Sequence, residues 1–213
     1  MKPMYRSRSP KEFNMTSNSL RKKYSMSQLY RAILHGYVSF PWMVKNRKEK
    51  TVDAKLIERL MLATTEVNGC DVCSYAHTQM ALKEGFSQDE INAFLSGSST
   101  YVKEEEAIAI LYAQHVADTM GNPDPTTYDR LIETYGSTKA TIMKSAIMIM
   151  MMGNIAGIPL SAFLRRLKGK PYQNSTWLYE AGMLLIQPVF MVAAIPHAML
   201  LSMLRKDSAI KTI

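Results

Sequence analysis

Residues 66–85 read EVNGCDVCSYAHTQMALKEG and contain both cysteines of this 213-residue chain. Asn68-Gly69 interrupts the preceding segment, so the pattern predicts a helix that runs from about Cys70 to Glu84 and stops at Gly85. Residues at i, i+3 and i+7 of a helix share one face, one turn apart. One face of this helix therefore carries three reactive side chains, Cys70, Cys73 and His77.

Sequence signals for helix starts and ends recur on both sides of this stretch, whereas strand signals are almost absent. The pattern predicts an all-α fold. Before the cysteines, we expect a helix within 25–42 that ends near Pro41, and a helix capped by Asp53 with an apolar stripe from Leu56 to Val67. After them, we expect a short helix that begins at the S-x-x-E capping box of Ser87 and Glu90, and a helix from the acidic turn 103–106 to Met120. The last two are a helix from Asp124-Pro125 to Gly136 and a long apolar helix that Pro159 kinks or ends.

The cysteine pair needs a base to become reactive, because the thiolate and not the thiol is the nucleophile. His77 lies four residues after Cys73, within reach for proton exchange on a helix, and imidazoles titrate near neutrality. A carboxylate that orients the imidazole would complete the relay. Glu58 and Glu66 both lie on one flank of the preceding helix, and the residues themselves do not choose between them.

The pattern Glu58-x11-Cys70-x2-Cys73-x3-His77 resembles the signature of the alkylhydroperoxidase D-like, or carboxymuconolactone decarboxylase, family. The following residues ALKEGFSQDEI also resemble that family's sequence after its active-site helix. The similarity covers about residues 51–165, including the later helix with Asn154.

This resemblance implies an all-helical protein that assembles as homotrimers, hexamers or other higher oligomers. We expect neither a metal nor another cofactor. It implies a proton relay in which Glu58 and His77 activate the cysteines, with Cys73 as the attacking thiol and Cys70 as the resolving one. The implied activity is reduction of a small-molecule hydroperoxide, or disulfide exchange, reset by a dithiol or a protein reductant. The family's lactone decarboxylases lack the cysteine pair, so decarboxylation is not expected.

Charge divides the chain unevenly. The formal net charge of +8 combines a balance of +10 over residues 1–50 with −2 over residues 51–213. We expect three parts: a basic, flexible arm over 1–26, a helical thiol-redox domain over 27–170, and an apolar helical extension over 171–213. The basic segment brings no nucleic-acid-reading module, so nucleic acid is not an expected partner. It has no secretory apolar stretch either, and a CxxC pair without one is typical of a reducing, cytoplasmic setting.

The extension contains the most ambiguous segment. Residues 181–204 carry no charged side chain, and Arg205-Lys206 follows directly. Length alone would permit a membrane span, but Pro188 and Pro196 interrupt the segment. A buried or oligomer-facing helical hairpin is the first interpretation, and a membrane-inserted or surface-bound hairpin is the second, since a basic arm suits an anionic surface.

Two further hypotheses compete with an enzyme. The two cysteines, His77 and a glutamate could bind zinc, although structural zinc sites usually draw their ligands from separate loops. Alternatively, the pair could act as a redox sensor that is oxidised without turnover. The remaining histidines, His35, His115 and His197, are interpreted as structural.

Overall fold

The computed structural model describes residues 18–204, and within that range it contains helices and no strand. The all-α prediction is confirmed. The helices are α1 (Met26–Glu49), α2 (Ala54–Asn68), α3 (Asp71–Lys83), α4 (Gln88–Leu95), α5 (Ala107–Asp118), α6 (Pro125–Tyr135), α7 (Ser137–Leu167) and α8 (Trp177–Leu204), with a 3-10 turn at Glu104–Glu106.

Most of the predicted helix ends are confirmed. The Asp53 carboxylate accepts hydrogen bonds from the first backbone N–H groups of α2, and Gly69 ends that helix in the left-handed conformation at φ 69°. Asp124 caps α6, with Pro125 in its first turn. The capping box of α4 forms only in part: Ser87 accepts from the Glu90 N–H, but the Glu90 carboxylate binds Arg59 on α2 instead.

Prolines lie inside three helices without ending them, so the helix end predicted near Pro41 and the breaks predicted at Pro188 and Pro196 are wrong, whereas a kink at Pro159 stays a prediction. Pro41 lies inside α1, Pro159 inside α7, and both Pro188 and Pro196 inside α8, which is one helix and not a hairpin. A proline in a helix interior costs about 3 kcal/mol, since it removes one hydrogen bond and clashes with the carbonyl four residues earlier. Burial on both sides of the proline offsets that cost: α7, for example, buries Ile155 before Pro159 and Ala162 after it.

Helix α7 lies at the centre of the fold and contacts α1, α2, α3, α5, α6 and α8. Its buried side chains are mostly methionine, isoleucine and alanine, and the methionine run 148–152 contributes Met148, Met150 and Met151 to the core. Methionine fills irregular gaps in such a core. Helix α3 packs between α2 and α7, so the cysteine-bearing helix has a neighbour on each side that can contribute to a site.

The basic N-terminal segment packs against the body where the structure describes it. Leu20 and Tyr24 are buried, and the Tyr24 hydroxyl donates a 2.5 Å hydrogen bond to the Asn68 side chain. The Leu20 backbone exchanges two hydrogen bonds with the side chain of Asn174. Residues 20–24 are therefore part of the folded unit and not of a solvated arm, and residues 1–17 of the expected arm lie outside the described residues.

Among residues 18–204, two helices are long and apolar enough, by length and composition, to cross a membrane. They differ in burial. In α7, 56% of the most apolar window is buried, as in a core helix, whereas in α8 the share is 11%. The fold of a single chain therefore does not bury residues 181–204, and their place at an oligomer interface or a membrane remains a prediction.

Candidate active site

The site begins with a carboxylate–imidazole pair that joins α2 to α3. His77 Nδ1 lies 2.7 Å from Glu58 Oε1, and the side chains are only 14% and 9% exposed. An ionised carboxylate can only accept a hydrogen bond, so Nδ1 carries a proton and Nε2 is left to exchange one with another group. This is the arrangement expected of a general base with its orienting group.

The second part of the site is the cysteine pair at the start of α3. Cys70 is the residue that precedes the helix, and Cys73 lies in its first turn. Their sulfurs are joined in a disulfide, with the Cα atoms 5.3 Å apart. Cys70 is fully buried, whereas Cys73 is 9% exposed, so solvent reaches Cys73 more easily.

Cys73 and His77 lie on consecutive turns of α3, four residues apart, so the disulfide and the Glu58–His77 pair are neighbours. Within residues 18–204, no hydrogen bond joins His77 to either sulfur of the disulfide. The structure thus brings Glu58 to His77 and Cys70 to Cys73. For thiol chemistry, a proton would pass between His77 and Cys73 in the reduced protein.

The choice between Glu58 and Glu66 is decided by what each carboxylate contacts. Glu66 accepts a hydrogen bond at 3.2 Å from Nη1 of Arg21, in the packed N-terminal segment, and the same guanidinium donates to the Glu66 backbone carbonyl at 2.6 Å. Both glutamates are buried to a similar degree. Only Glu58 is hydrogen-bonded to the imidazole, which agrees with the residue that the family resemblance indicates.

Helix α7 forms a surface against the disulfide that the sequence reasoning missed. The Gly153 carbonyl oxygen lies 3.4 Å from Cys73 Sγ, and Ser161 Oγ accepts the Val72 N–H at 3.2 Å. Between them, a Cβ atom at Gly157 would stand 2.7 Å from Cys70 Sγ and 2.8 Å from Cys73 Sγ. The signal in the sequence was the pair of glycines four residues apart in an otherwise bulky helix, because small residues at that spacing allow another element to approach the backbone closely.

A polar contact also holds Asp71, one of the two residues between the cysteines. The Tyr172 hydroxyl, from the segment between α7 and α8, donates a 2.7 Å hydrogen bond to Asp71 Oδ2. Arg165 lies 4.0 Å from the same oxygen and stacks 4.2 Å above the Tyr172 ring. Burial of the phenol, together with its bond to Asp71, raises the pKa of Tyr172 to about 12. No local pattern indicates this contact, since Tyr172 is about 100 residues away from Asp71.

The other polar candidates have structural partners. His115 Nε2 accepts the backbone N–H of Asp124 at 3.1 Å, and His197 Nδ1 lies 3.0 Å from the Tyr30 hydroxyl. Asn154 is buried and accepts a hydrogen bond from Thr65, while its amide nitrogen has no partner among the described residues. Within residues 18–204, no three or more His, Cys, Asp and Glu side chains are grouped so that they could hold a metal ion.

Comparison with known proteins finds similarity to one family. Residues 31–114 match the model of the carboxymuconolactone decarboxylase family, which confirms the resemblance stated from the cysteine motif. The match begins earlier than the similarity we inferred over 51–165 and ends before α7, and it contains Glu58, both cysteines and His77. No curated protein and no solved structure gives a significant match.

Proposed function

We propose that this chain, in which residues 31–114 form a carboxymuconolactone decarboxylase family segment, is a thiol-dependent peroxidase whose reacting groups are Cys73 and Cys70. One observation carries the proposal. A cysteine pair in position to form a disulfide begins the same helix that holds His77, one turn later, against the Glu58 carboxylate. A nucleophile, a base and an orienting group on this spacing suit thiol chemistry.

The cycle starts from the reduced pair. His77 accepts the proton of Cys73, and the positive N-terminal end of the α3 dipole supports the resulting thiolate. The thiolate attacks the distal oxygen of a hydroperoxide and the O–O bond breaks. The alkoxide leaves as an alcohol with the proton from His77, and Cys73 becomes a sulfenic acid. The greater exposure of Cys73 supports its role as the attacking thiol.

The second step closes the disulfide. Cys70 attacks the sulfur of the sulfenic acid, the S–O bond breaks, and hydroxide leaves with the Cys70 proton as water. The sum is one hydroperoxide and two thiols converted to one alcohol, one water and one disulfide. A dithiol or a protein thiol then reduces the disulfide by thiol exchange. Because Cys70 and Cys73 are already adjacent, the closing step needs little rearrangement.

The test combines intact mass with turnover. The reduced protein is treated with a small excess of cumene hydroperoxide, with and without a chelator, and hydroperoxide consumption is then followed with dithiothreitol as reductant. We expect a loss of two hydrogens, unaffected by the chelator, and repeated turnover. Cys73→Ser should abolish both results. Cys70→Ser should still react once and give a protein heavier by one oxygen.

Two results would contradict the proposal. Oxidation of the pair without catalytic consumption of hydroperoxide would indicate a redox sensor. Thiols that react only after a chelator has removed a bound ion would indicate a zinc site. The homotrimer or homohexamer expected from the resemblance remains a prediction, which light scattering on the whole chain tests. A cytoplasmic location remains a prediction as well.

A further inference from the structure

Helix α8 exposes an apolar surface that the proposed chemistry does not use. From Leu185 onward, apolar residues face solvent at position after position, and residues 181–204 contain no charged side chain. At about 100° per residue, the exposed apolar positions cover an arc of about 220° around the helix axis, which also contains the exposed Ser202. They are Leu185, Pro188, Val189, Met191, Val192, Ala193, Ile195, Pro196, Met199, Leu200, Met203 and Leu204.

The width of this arc indicates what covers it. A neighbouring helix meets a partner along a stripe of roughly 100°, flanked by polar residues. Here the apolar surface extends over more than half of the circumference and has no charged rim. A helix that is apolar over most of its circumference is suited to a medium that surrounds it, which is the hydrocarbon of a membrane.

Two other roles of a long apolar helix do not fit α8. A core helix of a soluble domain is mostly buried, but only 11% of the most apolar window of α8 is buried. A signal sequence lies near the N-terminus, whereas α8 follows the folded unit. Two of its polar side chains also have hydrogen-bond partners within the chain: Ser202 donates to the Ala198 carbonyl, and His197 pairs with Tyr30. Apolar surroundings require such satisfaction.

The charges at the ends of α8 suit an anionic surface. The helix begins with the exposed Trp177 and with Tyr179, whose ring lies 4.7 Å from the Lys23 ammonium. Lys168 and Lys170 are exposed just before it, and Arg205-Lys206 follows it in the sequence. Aromatic and basic residues at this boundary are typical of the headgroup region. The carboxylate nearest in sequence, Glu180, is fully buried and paired with Arg166.

We propose that α8 docks this chain onto an anionic lipid bilayer, with its exposed arc in the hydrocarbon and its opposite side held by the body. The helix lies along the membrane instead of crossing it. Its packed side extends from Glu180 to Ala198, so a crossing helix would carry the neighbouring α1, with the exposed Arg31, into the bilayer.

Liposome flotation of the whole chain tests the proposal. The probes are vesicles of phosphatidylcholine alone and of phosphatidylcholine with about one third phosphatidylglycerol. We expect the protein to float with the anionic vesicles. A triple substitution at the centre of the arc, Leu185→Glu, Val192→Glu and Met199→Glu, should lower the partition coefficient at least about 100-fold, since it puts three charges where apolar side chains would enter the hydrocarbon. These side chains are 75%, 69% and 60% exposed in the free protein, so folding should not depend on them.

The matched control adds the same charge elsewhere on the exposed surface, through Gln88→Glu, Asn92→Glu and Thr138→Glu, and should float as the wild type does. A second measurement does not rely on the triple variant. With Trp42→Phe, Trp177 becomes the sole tryptophan, and brominated lipids should quench its fluorescence.

A wild-type protein that stays out of the vesicle fraction overturns the proposal, as does a triple variant that floats equally well. If the wild type does not float and light scattering shows an oligomer that the triple variant disrupts, a second copy of the chain covers α8.

Discussion

Gly157 stands against Cys70 so closely that no side chain fits between them: a Cβ atom at this position would lie 2.7 Å from Cys70 Sγ. The same atom would lie 2.8 Å from Cys73 Sγ. The backbone of α7 therefore forms one wall of the disulfide site, and the glycine is what allows the sulfurs to occupy it.

Gly157→Ala should accordingly disfavour the disulfide. The added methyl group occupies the space of both sulfurs in the oxidised state, whereas two separate thiols can rotate away from it. We expect a disulfide that is easier to reduce and a slower closing step. The measurement is the equilibrium between dithiol and disulfide in defined glutathione buffers.

Gly153→Ala provides the control for that experiment. It lies one turn away on the same helix, where the nearest atom to an added Cβ is Met150 Cε at 3.8 Å. The redox equilibrium should not change, and the free energy of unfolding should rise by up to about 1 kcal/mol, because alanine is favoured over glycine inside a helix. Equal redox effects of both substitutions would refute a specific contact at Gly157.

Glu58→Gln should slow the proposed attack of Cys73 on the hydroperoxide by about 100-fold, which is a typical contribution of a positioned acid–base group. The amide can still accept the hydrogen bond from His77, but it does not stabilise a positive imidazolium. Glu66→Gln is the matched control, since Glu66 is on the same helix and comparably buried but contacts Arg21. Its turnover per folded molecule should stay near that of the wild type. Stopped-flow measurement of disulfide formation after mixing with hydroperoxide compares the two variants.

Tyr172→Phe should lower the free energy of unfolding by about 1 kcal/mol, because it removes a hydrogen bond to a carboxylate that is half exposed to solvent. The substitution also changes the alkaline behaviour. Because the folded protein holds the pKa of Tyr172 at about 12, above its ordinary 10.0, the folded state retains this proton longer than the unfolded chain does. That stabilisation is complete below pH 10.0 and is lost as the pH rises towards 12.

Urea unfolding at pH 9, 10 and 11 measures this difference. The other buried tyrosines contribute equally to both proteins, so the comparison isolates Tyr172. A wild type and a Tyr172→Phe variant that lose stability in parallel over this range would show that the phenol does not titrate as described.

Glu180→Gln should destabilise the protein by about 2 kcal/mol, because it leaves Arg166 without the carboxylate that accepts two of its hydrogen bonds. Burial alone would raise the pKa of Glu180, but the hydrogen bonds from Arg166 and Ser175 outweigh burial and lower it. The contribution of Glu180 is therefore present above pH 4.5 and is lost as the pH falls through the lowered pKa.

Thermal unfolding between pH 3 and 7 tests that sign. The wild type should lose more stability on acidification than Glu180→Gln does. Glu49→Gln is the control, since it removes an exposed ion pair with Lys45 of 3.9 Å, which should change stability by less than about 0.5 kcal/mol. An effect of the same size in both variants would contradict a special role for the buried pair.

The chemical residues of the site could be predicted because they depend on spacing along one helix. Cys70, Cys73 and His77 are close in sequence, and the helix period alone places them on one face. The identity of the carboxylate could not be obtained in that way. Glu58 and Glu66 have equivalent positions in the periodicity, and the difference between them is that Arg21, 45 residues before Glu66, reaches Glu66.

The errors share one physical cause, which is that tertiary packing overrides local preference. Pro41 and Pro159 signal helix ends locally, yet the helices continue because their buried faces extend past both prolines. The basic composition around Leu20 and Tyr24 suggests solvation, yet these two side chains enter the core. Contacts such as that of Tyr172 with Asp71 join distant segments, and no local pattern encodes them.

The wall that Gly153 and Gly157 provide lies outside the segment that carries the family's motif, which ends at residue 114. The reactive groups and the surface that faces them are thus encoded by separate stretches of the gene. An engineer who wishes to change which oxidant or reductant reaches the sulfurs can randomise α7 around these glycines while the motif of α2 and α3 stays constant.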